Sequence, residues 1–363
     1  QRHPRVFLFS FVTLLLLIPC FFEFVIWQFL YHPEFNNDFP YLHPAVADIY
    51  YRHELEMVQY QPRCADYDSV LFYAMKPGVC RHRSIEFNCT YSFNSAGLRD
   101  DDASLDKPEI IVLGDSYAMG WGMSNEKIFS SLIEQQTGMK TLNAAVPSYG
   151  TAREFLFLER LDLSNLKYLV IQYCANDFEE NKQFVEQGFR LQVNTREVYQ
   201  GIVRNHVNRI KYYPLLYVST LARVTWARIF GKSEEKKSSK LVSKAAINFP
   251  QVQNLLDAKP ATSASAEDSA VYFLDIVRSK PALENVQIIV MNISGPLYTT
   301  PSFINALSKV KESSSYPAFV RSIKPVDICG IVGKQDYFTL DCHLNEQGHR
   351  KVAALVTAAI HSE

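Results

Sequence analysis

This chain lacks an excess of charge of either sign, any cysteine pair of metal-binding spacing, and any internal repeat. Lys and Arg number 37 against 38 Asp and Glu, for a net charge of −1, so the totals carry no electrostatic footprint for nucleic acid. None of the seven cysteines stands in a Cys-x-x-Cys, so no spacing matches a zinc site. Neither a repeat nor a run of heptads is present, which removes solenoids and coiled coils. Hydrophobic residues make up 47% and charged residues 21%; that balance argues against wholesale disorder. A length of 363 residues allows one large domain with an appendage, or two modest ones.

What is present begins with an apolar run. Val6 to Phe22 is interrupted only by Ser10, Thr13, Pro19 and Cys20, and the run resumes after Glu23 through Phe24, Val25, Ile26, Trp27, Phe29, Leu30 and Tyr31. A helix needs roughly 20 such residues to cross a bilayer. Arg2, His3 and Arg5 precede the run, whereas Glu34 and Asp38 follow it. The positive-inside rule then predicts a cytoplasmic N-terminus (1–5), a transmembrane anchor (6–31), and the remainder outside the cytoplasm. A signal peptide would need a small-x-small cleavage site, which is not evident near 20–32, and a lipidated Cys20 would follow Pro19 where a small residue is expected. Beyond the anchor, Cys80 and Cys89 could pair, or either could take Cys64; Cys329 and Cys342 form a second candidate pair, with free thiols as the alternative.

Residues 32–95, rich in Tyr, Pro and His, read as an irregular juxtamembrane segment. From 96 to 363 strand and helix signals alternate: strands at Ile110–Leu113, Thr141–Ala145, Leu166–Tyr173 and Val286–Asn292, with helices at Ile128–Gln136, Ala152–Leu161, Ser269–Ser279, Pro301–Glu312 and Asn345–Ile360. Such alternation predicts an α/β domain built on a parallel sheet. The rhythm lapses in a helical, basic insertion at about 180–265, where 202–232 interleaves Arg and Lys with aromatics. That stretch admits an amphipathic helix pair with a solvated cationic face, a membrane-surface contact, or a lid over an anionic glycan. Gly231–Lys244 and Ala261–Asp268 read as loops.

Polar blocks follow the strands in order. Gly114-Asp115-Ser116 ends the first strand. Asn143-Ala144-Ala145-Val146-Pro147-Ser148-Tyr149-Gly150 follows the second, and Ala175-Asn176-Asp177 the third. Asp341-Cys342-His343 precedes the last helix. Together these resemble the nucleophile, asparagine and acid–histidine blocks of the SGNH (GDSL-type) hydrolase superfamily. Phe93-Asn94-Ser95-Ala96-Gly97-Leu98-Arg99-Asp100 resembles the lead-in segment of its membrane-anchored bacterial members. The resemblance covers roughly 90–360. It implies a flavodoxin-like, three-layer fold and a serine-dependent esterase with neither metal nor organic cofactor, facing the periplasm from the bacterial inner membrane. The sequons Asn88-Cys89-Thr90 and Asn292-Ile293-Ser294 keep a eukaryotic secretory origin open.

In that reading Ser116 attacks an ester, His343 moves the proton and Asp341 orients the imidazole. The oxyanion would be held by the Ser116 N–H, by Ser148 or Gly150, and by Asn176, with Gly114 and Asp115 supporting the turn. The substrate implied is an O-acyl, commonly O-acetyl, group on an envelope or extracellular glycan. Two departures stand out: Ser148 occupies the second block's usual glycine position, and Asp341-x-His343 is one residue shorter than Asp-x-x-His. The shorter spacing resembles alginate O-acetyltransferases, so the alternative is an O-acyltransferase supplied by a multispanning membrane acyltransferase. A non-catalytic SGNH-like subunit is the alternative of another class. His349 is expected to be solvated, and His53, His82 and His206 to lie on the surface.

Overall fold

A computed structural model describes residues 4–39, 42–230, 263–296 and 299–362. The apolar run forms one helix, α1 (Pro4–Tyr31), of which Phe7–Tyr31 is long and apolar enough to cross a membrane. Short helices α2 (Phe35–Asp38) and α3 (His43–Ile49) lead into a π-helical turn over Tyr50–Glu54.

The segment read as irregular then forms two antiparallel hairpins, β1 (Ala65–Asp68) with β2 (Phe72–Met75), and β3 (Gly78–Arg83) with β4 (Asn88–Phe93). The first turns on Asp68, whose Oδ1 accepts the Val70 and Leu71 N–H groups at 2.8 Å each. Hydropathy hides the second because its inward positions on β3 are Cys80 and His82, flanked by exposed arginines. Among the described residues one disulfide, Cys64–Cys80, ties the start of β1 to β3. Cys329 and Cys342, expected as a pair, are free, as is Cys89.

The main sheet has five strands: β5 (Ile110–Leu113), β6 (Thr141–Asn143), β7 (Tyr168–Tyr173), β8 (Gln287–Asn292) and β9 (Lys324–Val326). Their order is β6-β5-β7-β8-β9 and every pairing is parallel. β5 is wholly buried, as an apolar β-branched run between helix layers should be. The sequence reading missed β9, which carries Pro325, a residue a sheet tolerates at its edge. The intervening helices are α4 (Ser116–Met119), α5 (Phe129–Thr137), α6 (Thr151–Leu158), α7 (Asp177–Glu186), α8 (Arg196–Arg209), α9 (Leu216–Phe230), α10 (Ser263–Arg278), α11 (Ser302–Val310), α12 (Ala318–Arg321) and α13 (Glu346–His361). They gather in two groups, α5 with α13, and α6 and α7 with α10, which also carries α11. Counted within the sheet the order is 2-1-3-4-5, whose switch point lies between β5 and β7. Ligands of open α/β sheets bind at the carboxyl ends of the strands there.

The loop expected at Gly231–Lys244 lies outside the described residues, while Ala261–Asp268 proves helical from Ser263 onward. Three histidines expected to meet water are buried instead. His349 Nδ1 accepts the Phe129 N–H at 3.2 Å, and His206 Nε2 accepts the Met57 N–H at 3.1 Å. His82 is enclosed by Phe87, Tyr91 and Trp121. Burial pushes His349 and His82 down to about 3 and His206 to about 4, so each is neutral in the fold. His53 is half-buried on Thr220. Asn292, in β8, is 4% exposed, which closes the second sequon to a glycan in the folded chain.

Candidate active site

The β5 strand ends at Gly114, where φ is +150° and a Cβ would lie 2.6 Å from both Ala118 Cβ and Gln172 Oε1. Only glycine lets the chain turn this tightly. Asp115 caps the short helix that follows, its Oδ1 accepting the Tyr117 N–H at 2.9 Å. Burial raises the Asp115 carboxyl to about 6, against the opposing pull of that hydrogen bond. Ser116, first residue of α4, is thereby presented at the sheet's carboxyl edge.

His343 Nε2 lies 2.7 Å from Ser116 Oγ, and its Nδ1 is hydrogen-bonded to Asp341 Oδ1. A neutral imidazole that donates to Asp341 through Nδ1–H leaves Nε2 as an acceptor for the serine hydroxyl. Burial pushes the Asp341 carboxyl up, but the His343 imidazole and hydrogen bonds from His343 and Tyr50 outweigh it, leaving Asp341 below its ordinary value. The imidazole packs against two aromatic rings: Trp121 stacks at 5.1 Å and Tyr117 lies tilted at 4.8 Å, centroid to centroid.

Residues that sequence reading did not single out hold this relay. The Tyr50 hydroxyl donates to Asp341 Oδ2 at 2.8 Å. That hydroxyl has one hydrogen, so the 2.6 Å contact with Ser84 Oγ makes Ser84 the donor to Tyr50. Tyr51 Oη accepts the Cys342 N–H at 2.7 Å. Glu86 accepts the N–H groups of Thr339, Leu340 and Asp341 at 2.7–2.8 Å, and burial raises its carboxyl to about 7. Arg99 of the lead-in segment is buried under the loop after Ser116. Its guanidinium donates to the carbonyls of Met119, Gly120 and Met123 and to Asn125 Oδ1, and lies 4.1 Å from the Tyr91 ring centre. Of these only Arg99 had a sequence signal, through its place in that segment; Tyr50, Tyr51 and Glu86 sit in stretches without periodicity.

A pocket of about 30 Å³ opens over Ser116, walled chiefly by Tyr51, Leu55, Met57, Trp121, Ser148 and Asn176. Asn176 precedes α7 and one end of its amide, Oδ1, is buried without a partner; a half-turn of the group exchanges oxygen for N–H. Ser148 also reaches the pocket. Its φ is +61°, the left-handed conformation that glycine adopts freely. Its Oγ accepts from Gln59 Nε2 at 3.0 Å and its carbonyl from Arg153 at 2.7 Å. Gly150 is not brought in: it does not line the pocket, and its N–H is committed to Glu180 at 3.2 Å. Of the two second-block candidates, Ser148 is the one the fold gathers with Ser116, Asn176 and His343.

Potential metal-ligand atoms of Asp341, Cys342 and His343 lie within 4.8 Å of one another. Both histidine nitrogens are engaged in the relay. Burial pushes the Cys342 thiol up to about 12, so it keeps its proton and accepts from Tyr117 at 3.3 Å. These donors fit proton relay better than ion binding.

No family model matches this chain, and no curated protein matches it.

Proposed function

We propose that this protein is an SGNH-type serine esterase that removes O-acyl, commonly O-acetyl, groups from envelope or extracellular glycans. It is held by α1 in the bacterial inner membrane, with residues 1–5 cytoplasmic and the α/β domain periplasmic. The observation that carries the reading is the Ser116–His343–Asp341 hydrogen-bonded relay at the carboxyl edge of β5. The Cys64–Cys80 disulfide accords with an oxidising compartment.

Ser116 Oγ attacks the ester carbonyl as His343 Nε2 takes its proton, and Asp341 stabilises the imidazolium. The Ser116 N–H, the Ser148 N–H and the Asn176 amide are assigned to the tetrahedral oxyanion. Collapse breaks the bond to the leaving alcohol, which receives the proton from His343 and leaves acyl-Ser116. Water, deprotonated by His343, then releases the acid and restores the serine.

The Asp341-x-His343 spacing favours a second reading, O-acyl transfer, in which a sugar hydroxyl replaces that water and a multispanning acyltransferase supplies the acyl group. A fluorophosphonate probe tests the shared first half. Covalent labelling of the wild type and none of Ser116→Ala is expected; identical behaviour of the two proteins would leave only the non-catalytic subunit. Offered an activated acetyl ester with and without oligosaccharide, an esterase releases acetate in both, whereas a transferase yields acetylated oligosaccharide.

A further inference from the structure

A glutamate stands in the C-terminal half of the apolar helix, and a second helix uses it. Glu23 is 8% exposed. Its oxygens accept the backbone N–H groups of Tyr217 (3.2 Å) and Val218 (2.8 Å) and the Tyr212 hydroxyl (3.2 Å). The N-terminal N–H groups of a helix lack partners of their own; here a residue of α1 supplies them for α9. With Ile26 and Leu30, also buried, Glu23 forms one face of α1, while Phe21, Phe22 and Phe24 beside it remain more than half exposed.

Beside this joint a groove of about 310 Å³ lies between α1 and α9, lined by Phe22, Ile26, Val218, Leu221, Ala222, Thr225 and Trp226. The α9 residues in it recur at helical spacing, as one stripe facing α1. Its walls are hydrocarbon apart from the Thr225 hydroxyl and the indole N–H of Trp226. Filling it with water would expose apolar surface at roughly 25 cal/mol per Å². Glu23 lies 16 residues past Phe7, or about 24 Å along the helix, close to the far boundary of a bilayer core of about 30 Å. The groove is therefore continuous with the lipid-facing side of α1 at the outer leaflet. Tyr212, Tyr213 and Trp226, all exposed, are the residue types that favour this interface.

We propose that acyl chains of the outer leaflet fill the α1–α9 groove, so that α9 lies in the membrane interface and holds the candidate catalytic pocket at the bilayer surface. This rests on the reading of α1 as a membrane span. The link to the pocket is short. His53 and Glu54 bond to Thr220 (2.9 Å) and Tyr217 (2.7 Å) of α9, while Tyr51, Leu55 and Met57 of the same segment wall the pocket. A substrate carried at the membrane surface would meet Ser116 without a long diffusive path from the bulk.

The test uses the full chain reconstituted in vesicles of phosphatidylcholine and phosphatidylglycerol, with or without bromine at mid-chain, and reads tryptophan emission. Trp121, buried in the domain, is a common background. The part of the emission lost in Trp226→Phe reports α9, and the part lost in Trp27→Phe reports α1. Both parts are expected to fall by about half in brominated lipid, since interfacial helices sink to the headgroup–acyl boundary. Quenching of Trp27 but not Trp226 would overturn the proposal while leaving the α1 span intact. Protection of Trp226 that disappears on dilution with lipid would put a second copy of the chain in the groove, and would overturn it too. Quenching of neither would remove the membrane span itself, and the proposal with it.

Discussion

Replacing Tyr50 with phenylalanine isolates one oxygen atom in the candidate relay. The ring is fully buried and packs edge-on against Tyr51, so Phe keeps the packing. What is lost is the 2.8 Å hydrogen bond to Asp341 Oδ2. Asp341 Oδ1 already serves His343, and without Tyr50 the carboxylate loses the contact that fixes its rotation. A hydrogen bond to a charged group contributes about 1.5–3 kcal/mol. If most of that acts on the transition state, with about 1.4 kcal/mol per tenfold, turnover of an activated acetyl ester should fall roughly 10- to 100-fold. KM should hardly move, because Tyr50 does not line the pocket. The bond helps hold the Asp341 carboxyl below its ordinary value, so its loss lets Asp341 keep a proton to higher pH. The acid limb of the kcat profile should therefore move upward. Ser84→Ala removes only the donor behind Tyr50 and should have a much smaller effect. Wild-type turnover and an unshifted acid limb in Tyr50→Phe would refute the assignment of Tyr50 as a positioning residue.

Asn176→Ala should lower kcat about 10²-fold, as loss of one oxyanion donor does elsewhere, with thermal unfolding unchanged; equal activity would remove Asn176 from the oxyanion site. Because burial holds His206 at about 4, the native state binds fewer protons than the unfolded chain between that value and about 6.5. Its contribution is thus intact above about 6.5 and is lost as pH falls, at roughly 1.4 kcal/mol per pH unit. The urea stability of the wild type minus that of His206→Gln should decline by about 3 kcal/mol across this window; subtraction cancels the opposite trends from Asp115 and Glu86. A pH-independent difference would refute the buried neutral state. Cys64→Ser with Cys80→Ser opens a bridge across 16 residues and should cost about 3 kcal/mol by the loop-entropy estimate, measured against the oxidised wild type. Ser148→Ala removes the acceptor for Gln59 but keeps the backbone N–H, so esterase activity should remain within a few-fold; a loss as large as that of Asn176→Ala would assign the hydroxyl itself to the chemistry.

Legibility followed sequence distance. The strand ends could be read because each is a local pattern: Ile110–Leu113 breaks at Gly114, and Tyr168–Tyr173 runs into Asn176 and Asp177. A parallel sheet collects such ends on one edge whatever lies between them, so Ser116 and Asn176 could be assigned to one site without knowing the strand order. Residues 50–57 offered nothing comparable. Their roles come from partners nearly three hundred positions away, Asp341 for Tyr50 and Cys342 for Tyr51. No periodicity marks a tyrosine whose function is to donate one hydrogen bond. The histidines misled for a related reason. His206 and His349 are polar in composition but neutral and inward-facing, each satisfying one backbone N–H, and only the packed neighbours reveal that.

The second block separates residue identity from backbone conformation. A glycine is usual there in the superfamily this block resembles, and the sequence leaves Ser148 and Gly150 both open as the donor. Yet Ser148 holds the left-handed φ of +61°, which disfavours an L-residue by roughly 1–2 kcal/mol. The surroundings over-determine it. Gln59 donates to its hydroxyl and Arg153 to its carbonyl. Tyr73 donates to the Pro147 carbonyl before it at 2.6 Å, and Glu180 fixes the Gly150 N–H after it. Gln59 and Tyr73 belong to the segment that joins the apolar helix to the domain. That segment thus shapes both halves of the candidate site, the second block through Gln59 and Tyr73 and the acid–histidine loop through Tyr50 and Tyr51. A glycine would adopt this turn unaided; a serine holds it because residues 50–75 are packed against it, which makes the geometry over Ser116 depend on how that segment sits between α9 and the sheet.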